Sequence, residues 1–449
     1  MAHVAVIGGG MAGLAAAYRL LRNGLETTVF EARDRIGGVI HSERRDGFLV
    51  EYGPNSIQSS SEVLDALMEE LGLEDERIAA SDAARMRYIV RDGRLVAAPV
   101  NPLELFTSEL FRGGSKLRVL REPFVRPAHP AVEESVAQFI RRRLGSEILD
   151  FGFEPFVAGV YAGNVDLLSI RHAFPALYEM EQSSGSIVRG QIDKRRRAAA
   201  AVETHRMFSF RSGLEALPAA LAEKLGDLRT DSAVLALRRE GRAWMVHAEG
   251  QSPERFDAVV YAAPLHALDE LDAPQDQDLS PLTAVAYAPL SVVALGFRRV
   301  DVGHPLDGFG MLVPRVEEPF RTLGTLFTSS IFPGRAPEGH VLLTSFLGGM
   351  RRPYLAGVSS DEAVGLVVRD LQRLLDVSGV PMFRVHAVWP RSIPQYELGY
   401  GTVLETMDRL ERTWPGWFMG GNFRAGVSVA ATAASGDEAA RRCAAYLGS

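Results

Sequence analysis

The sequence predicts an α/β protein, α+β overall, in which a doubly wound dinucleotide-binding domain is interleaved with an antiparallel-sheet domain and a helical subdomain. Three observations lead there. Val4 to Gly13 reads V-A-V-I-G-G-G-M-A-G, a short apolar strand running into glycines at G-x-G-x-x-G spacing. Short helical patterns broken by Pro102, Pro123, Pro127 and Pro130 replace the α/β pattern from about residue 100 to 205. At Arg211 the α/β pattern resumes, so the domains interrupt one another along the chain. The segments expected are 1–82, 207–284 and 411–449 for the dinucleotide domain, 83–98 and 285–410 for the sheet domain, and 99–206 for the helices.

The first stretch justifies the Rossmann-type reading. Gly8 permits the tight turn out of the strand, Gly10 lets a pyrophosphate approach the backbone, and Gly13 lets the helix pack on the sheet. Gly9, Met11 and Ala12 complete the turn, and Leu14 to Leu21 continues with helical periodicity. The helix N-terminus offers free N–H groups and a positive dipole end to phosphates. Leu25 to Phe30 is a second strand, and Glu31 closes it where a carboxylate can accept hydrogen bonds from a ribose.

Further on, E-V-L-D-A-L-M-E-E-L-G reads as a helix capped by one of Ser59 to Ser61 and ended by Gly72. Met86 to Val90 and Arg94 to Ala97 form a hairpin around Asp92-Gly93. Lys116, Arg118 and Arg121 follow Leu103, Leu105, Phe106, Leu110 and Phe111, a basic amphipathic stretch. It suits either an anionic membrane surface or inward packing within a helical subdomain. Asp193 to Arg197 (D-K-R-R-R) reads as a solvated loop. Then come a helix after Arg211 and strands at 233–238, 244–248 and 258–262. Strands near 285–297, 308–313, 322–328 and 341–347 predict the antiparallel sheet, followed by a helix over 361–375. The strand W-F-M-G-G-N and a final Ala-rich helix close the chain.

Composition narrows the function. The 449 residues are 47% hydrophobic and 23% charged, ordinary for a globular protein. A net charge of −7 carries no nucleic-acid footprint. One cysteine, Cys443, excludes a disulfide framework, and the ten histidines lack H-x-x-x-H spacing, so no metal site is expected. No secretory signal or membrane-spanning apolar run is visible, which leads us to expect a cytoplasmic protein, soluble or peripheral on the inner face of the cell membrane.

A second signature points to a flavin. Arg35, Gly37, Gly38 and Ser42 in A-R-D-R-I-G-G-V-I-H-S resemble the R-x-G-G-x-x-x-S segment of amine-oxidase-like FAD proteins, with Val39 where many relatives are polar. In those proteins a second backbone nest and an Arg hold the FAD diphosphate. Gly47 to Ser56 (G-F-L-V-E-Y-G-P-N-S) resembles their strand and turn at the flavin ring.

The middle and end of the chain sharpen the resemblance. Gly159 to Pro175, Gly308 to Pro314, Thr322 to Pro337, Ser392 to Gly399 and Gly421 to Val429 resemble the oxygen-dependent, FAD-containing protoporphyrinogen oxidases, nearly end to end. After Val429 the chain departs from that family, with A-A-T-A-A-S-G replacing a more polar, cysteine-containing stretch.

The resemblance implies an FAD domain, a substrate domain and a membrane-associated helical domain. It implies six-electron oxidation of a porphyrinogen to a porphyrin, with O2 as acceptor and H2O2 as product, in haem biosynthesis, and hand-over of the product to a chelatase. The macrocycle-sandwiching positions implied are Leu312, Leu326 and Phe346. Arg87 would pair with a propionate, and Gly159 and Gly163 would bring backbone to the pyrrole N–H groups. Asn55 would lie beside the flavin and the meso carbon. The FAD contacts implied are Gly8, Gly9, Gly10, Met11, Ala12, Gly13, Glu31, Ala32, Arg35, Gly37, Gly38, Val39, Gly53, Pro54, Asn55, Ser56, Val234, Trp389, Gly421, Asn422, Val427, Ser428 and Val429. Arg87 favours protoporphyrinogen IX over coproporphyrinogen III, whose oxidation is the alternative. Another amine-oxidase-like flavin oxidoreductase, or a porphyrin-binding flavoprotein without catalysis, are the further readings, and monomer and homodimer both stay open.

Overall fold

The computed structural model of the protein describes residues 1–58, 61–198 and 207–448. Its central element is a five-stranded parallel sheet ordered Asp227–Arg229, Glu26–Phe30, His3–Ile7, Ala258–Tyr261, Trp417–Met419. Parallel strands buried on both faces need continuous apolar runs, and V-A-V-I and A-V-V-Y supply them. The five strands come from three separate parts of the chain, which is the interleaving expected.

Helix Met11–Arg22 follows the first strand directly. The last helix, Val429–Gly448, lies against it. A Cβ on Gly436 would fall on the carbonyl of Ala12, so the small residues of A-A-T-A-A-S-G let two helix backbones touch. Ala430 and Ala433 are buried in that seam, which gives the departure from the family pattern a packing reason. An antiparallel meander, Val234–Glu240, Ala243–Ala248 and Glu254–Phe256, extends the same region.

The second large sheet has seven strands, ordered Phe383–Pro394, Tyr287–Arg298, His340–Gly348, Gly324–Leu326, Gly310–Leu312, Arg87–Arg91, Arg94–Ala97. It is antiparallel except at one junction, where Gly310–Leu312 runs parallel to Arg87–Arg91. The edge strand Phe383–Pro394 and helix Tyr400–Thr413 are additions to the expected elements.

Helices Val136–Arg143, Glu154–Tyr161, Pro175–Ser184 and their neighbours cover one side. Among them Arg143 is fully buried, held by Glu122 at 2.6 Å and by Glu181. Asp193 and Lys194 are exposed as expected, but they stand on helix Ile187–Ala198 rather than in a loop. The expected end of this subdomain, up to 206, reaches outside the described residues. Ser61 caps helix Glu62–Leu71, with the Leu64 N–H donating to its hydroxyl at 3.4 Å; the alternatives Ser59 and Ser60 lie outside the described residues. The basic amphipathic stretch divides: Leu110 and Phe111 pack inward, while Leu103, Leu117, Leu120 and Phe124 are exposed, Phe124 by 81%. Among the described residues no helix is long and apolar enough to cross a membrane.

Candidate functional site

The glycines of the first turn are fixed by close approach. Gly8 takes φ +108°, and a Cβ there would lie 2.8 Å from the Ala263 nitrogen. A Cβ on Gly13 would coincide with the Gly8 carbonyl, so the helix can begin this close to the strand only without side chains. Met11 and Ala12 form the first helical turn. Gly37 donates its N–H to the Gly9 carbonyl at 2.8 Å, and Gly10 faces Gly37 and Gly38 across a bridge. Two glycine turns therefore meet with bare backbone between them, a cradle that side chains would fill. Arg35 shapes the second turn: its guanidinium donates to the carbonyls of Ile36, Gly38 and Ile40 at 2.7–3.3 Å. Burial, with Arg33 beside it, lowers the pKa of Arg35.

Glu31 is buried at the end of the second strand. Its carboxylate accepts the Gly9 N–H at 2.7 Å and the Arg33 N–H at 3.0 Å. A carboxylate has about four acceptor positions, so two remain for ribose hydroxyls. Ala32 follows it, and the Ser232 N–H donates to the Glu31 carbonyl at 2.9 Å, bringing Val234 to this end of the cradle.

The other end is built from three segments. Gly53 to Ser56 follows strand Phe48–Glu51, and a Cβ on Gly53 would collide with the Val39 carbonyl, locking the two loops together. Pro54 stiffens the turn. Asn55 donates Nδ2–H to the Gly53 carbonyl at 3.1 Å, while its buried Oδ1 has no hydrogen-bond partner among the described residues. Trp389 donates its indole N–H to the Tyr52 carbonyl at 2.7 Å, tying the seven-stranded sheet to this turn.

The third segment, Gly421 to Val429, joins the last parallel strand to the last helix. Gly421 donates to Ser435 Oγ at 2.9 Å, and Ser428 caps the helix by accepting the Ala431 N–H at 3.1 Å. Tyr396 holds Asn422 to Val427 from below: its hydroxyl donates to the Asn422 carbonyl and accepts the Gly426 N–H at 3.0 Å. Tyr400 donates to the Phe423 carbonyl at 2.6 Å. Burial raises the pKa of both phenols, so they act as neutral hydrogen-bonding groups. The orphaned Asn55 Oδ1 and the glycine cradle fit a bound flavin nucleotide; the fit rests on this chain's own backbone.

The residues expected to meet the substrate gather on one face of the seven-stranded sheet. Arg87, Gly310, Leu326 and Thr344 stand in one cross-strand row. Ile89, Leu312, Gly324 and Phe346 stand in the next, two residues along and so on the same face. Leu312, Leu326 and Phe346 are half-buried on this face, and the glycines at 310 and 324 let the strands pair closely, since a Cβ on Gly310 would collide with the Thr325 carbonyl and one on Gly324 would lie 2.6 Å from the Met311 carbonyl oxygen. The first row continues through Ala294 to Val385 and the second through Val292 to Ala387; a third row, Gly348, Leu290 and Trp389, carries the same face to the flavin turn. Arg87 is exposed, lies 5.3 Å from the Phe309 ring centroid, and pairs with no carboxylate among the described residues. Gly159 packs on the face from helix Glu154–Tyr161: its missing Cβ would be 3.0 Å from Leu312 Cδ2. Gly163 sits beyond that helix, against Leu168 and Gln395. Tyr396, Tyr400, Gly324 and Gly436 are absent from the sequence-derived set. Only the Gly324 position carried a signal, a glycine inside an apolar strand.

This combination, a dinucleotide cradle joined to a sheet face under a helical cover, defines a flavin-dependent oxidoreductase. The model of the flavin-containing amine oxidoreductases matches residues 11–444. The chain belongs to that family, and within it to the protoporphyrinogen IX and coproporphyrinogen III oxidase group. It is 38% identical to protoporphyrinogen oxidase 2, chloroplastic/mitochondrial, of Arabidopsis thaliana, over 99% of this chain and 94% of that one. It is 37% identical to the mitochondrial protoporphyrinogen oxidase of Nicotiana tabacum (99% and 95%) and 28% identical to coproporphyrinogen III oxidase of Bacillus subtilis (95% and 94%). The fold matches a solved protein from Exiguobacterium sp. 255-15 with TM-score 0.85 at 24% identity, covering 100% of this chain and 99% of that one.

Proposed function

We propose that the protein oxidises protoporphyrinogen IX to protoporphyrin IX, with FAD as cofactor and O2 as terminal acceptor. The observation that carries this reading is the single sheet face joining Arg87, Leu326, Leu312 and Phe346 to the flavin turn at Trp389. FAD would supply the electron acceptance: six electrons leave the macrocycle in three two-electron steps, and three O2 become three H2O2.

The chain's own residues bind and orient. Gly8 to Gly13 and Gly37 to Gly38 receive the diphosphate, with Arg35 acting through the loop it braces. Glu31 takes the ribose, with Ala32 and Val234 beside it. Gly53 to Ser56, Trp389 and Gly421 to Val429 surround the ring. Phe346 stacks on a pyrrole ring while Leu312 and Leu326 close the other side, excluding water. Arg87 offers a planar fork to a propionate. Backbone at Gly159 would lie next to the pyrrole N–H groups, while Gly163, packed on Leu168 and Gln395, would act by holding the end of that helix. Asn55 Oδ1 is a buried acceptor able to hold an N–H or a water near the flavin. Positioning supplies most of the rate, with no side chain required as a general base.

The bacterial relatives keep coproporphyrinogen III oxidation as the second reading. Exposed Leu103, Leu117, Leu120 and Phe124 beside Arg118 and Arg121 support peripheral attachment to an anionic membrane from the cytoplasmic side, where product could pass to a chelatase. The test is aerobic turnover of both porphyrinogens in parallel, followed by porphyrin fluorescence. Preference for protoporphyrinogen IX supports the proposal; preference for coproporphyrinogen III replaces it with the second reading.

A further inference from the structure

The cover over the substrate face is latched to the sheet at both ends. At the start of helix Glu154–Tyr161, Glu154 contacts the guanidinium of Arg351 and accepts the Arg315 N–H at 2.9 Å. Arg351 in turn donates to the Val313 carbonyl at 3.0 Å. Both side chains are more than nine-tenths buried. Just past the helix, Ala162 turns into the left-handed region at φ +48°, and its carbonyl accepts the Met350 N–H at 2.7 Å. The two latches land on 313–315 and 350–351, the chain just beyond Leu312 and Phe346. Between them the helix presents Gly159 to Leu312 at contact distance.

A buried ion pair is a weak source of net stability, because desolvation offsets the attraction, whereas fixing one register is its best-attested use. Here it joins the start of helix Glu154–Tyr161 to the chain just beyond Leu312, where Gly159 packs on Leu312. We propose that Glu154 and Arg351 are positioning residues that seat helix Glu154–Tyr161, and with it the Gly159 backbone, on Leu312 beside the macrocycle site. This rests on the porphyrinogen reading of that sheet face. Neither residue belongs to the flavin cradle, so their removal changes substrate fit and leaves the cofactor alone.

The experiment uses flavin-loaded Glu154→Gln and Arg351→Lys, both close in size to the native groups. It measures KM and kcat for protoporphyrinogen IX, Kd for protoporphyrin IX, flavin content and Tm. The expected result is a rise of about tenfold in KM and in porphyrin Kd, kcat within about threefold, and unchanged flavin content. The double variant should be no worse than the weaker single, since both act through one pair. KM and Kd within about twofold of wild type would overturn the inference, whatever happens to Tm. Wild-type protein that turns over no porphyrinogen would instead overturn the functional reading, and this inference with it.

Discussion

Replacing Arg87 with Ala removes an exposed cation from the proposed substrate face, one that has no carboxylate partner among the described residues. A charge-assisted hydrogen bond contributes about 1.5–3 kcal/mol when its groups are desolvated, and an exposed pair about 0.2–1 kcal/mol. Arg87 is exposed at the start of its strand, yet it borders half-buried Leu326 and Phe309, so its pair with a propionate falls between these limits. About 1–2 kcal/mol corresponds to a rise in KM of roughly five- to thirtyfold. The propionate is remote from the reacting carbons, so the interaction is equal in ground and transition states and kcat should hold. Arg87→Lys keeps the charge but loses the fork and should recover about half of the free energy. The assay is initial porphyrin fluorescence at low and high salt. Wild-type KM should rise with ionic strength, because about 0.5 M salt screens such a pair, and the Ala variant should lose that dependence. An Ala variant with KM within about twofold of wild type at low salt, or with the loss confined to kcat, would refute the propionate assignment.

Other outcomes follow from the same geometry. Gly159→Ala puts a methyl 3.0 Å from Leu312 Cδ2 and should raise KM several-fold, roughly three- to tenfold, with Tm nearly unchanged. Tyr396→Phe leaves the Asn422 carbonyl and Gly426 N–H without their shared partner; it should cost about 1–3 kcal/mol in urea unfolding and loosen flavin binding in equilibrium dialysis. Cys443 is buried with its thiol pushed up to about 12, so a thiol reagent should label only denatured protein. Burial lowers the pKa of His172, His266, His304 and His386, so the unfolded chain takes up protons first on acidification. Their contribution to stability is therefore intact above 6.5 and is lost as pH falls below it; His386→Gln should flatten the pH dependence of the urea midpoint.

Much of the cofactor half was legible because local sequence carries it. A strand, a glycine turn and a helix in ten-odd residues leave little freedom, and Gly8, Gly13 and Gly53 sit where a Cβ has no room. The proposed substrate residues were legible only through family resemblance, since Leu312, Leu326 and Phe346 look like any strand core. What places them together is register across strands far apart in sequence, including a parallel junction no local pattern announces. The edge strand Phe383–Pro394 was hidden by Pro390 and mixed polarity, which an edge tolerates because one side needs no ladder partner. Tyr396 and Glu154 act on backbone about 30 and 161 residues away, distances at which single-sequence periodicity has no reach. Asp193 to Arg197 read as a loop because charge dominates there, yet Arg and Lys are good helix formers and the run continues helix Ile187–Ala198.

The central claim is that a porphyrinogen held on this sheet face delivers its electrons to the bound flavin. The most direct measurement is anaerobic mixing of excess holoprotein with protoporphyrinogen IX, following flavin absorbance and porphyrin fluorescence together. The account predicts bleaching of three flavins for each porphyrin formed, because six electrons leave in pairs. Flavin that stays oxidised while porphyrin binds tightly would contradict it and make the protein a porphyrin-binding flavoprotein.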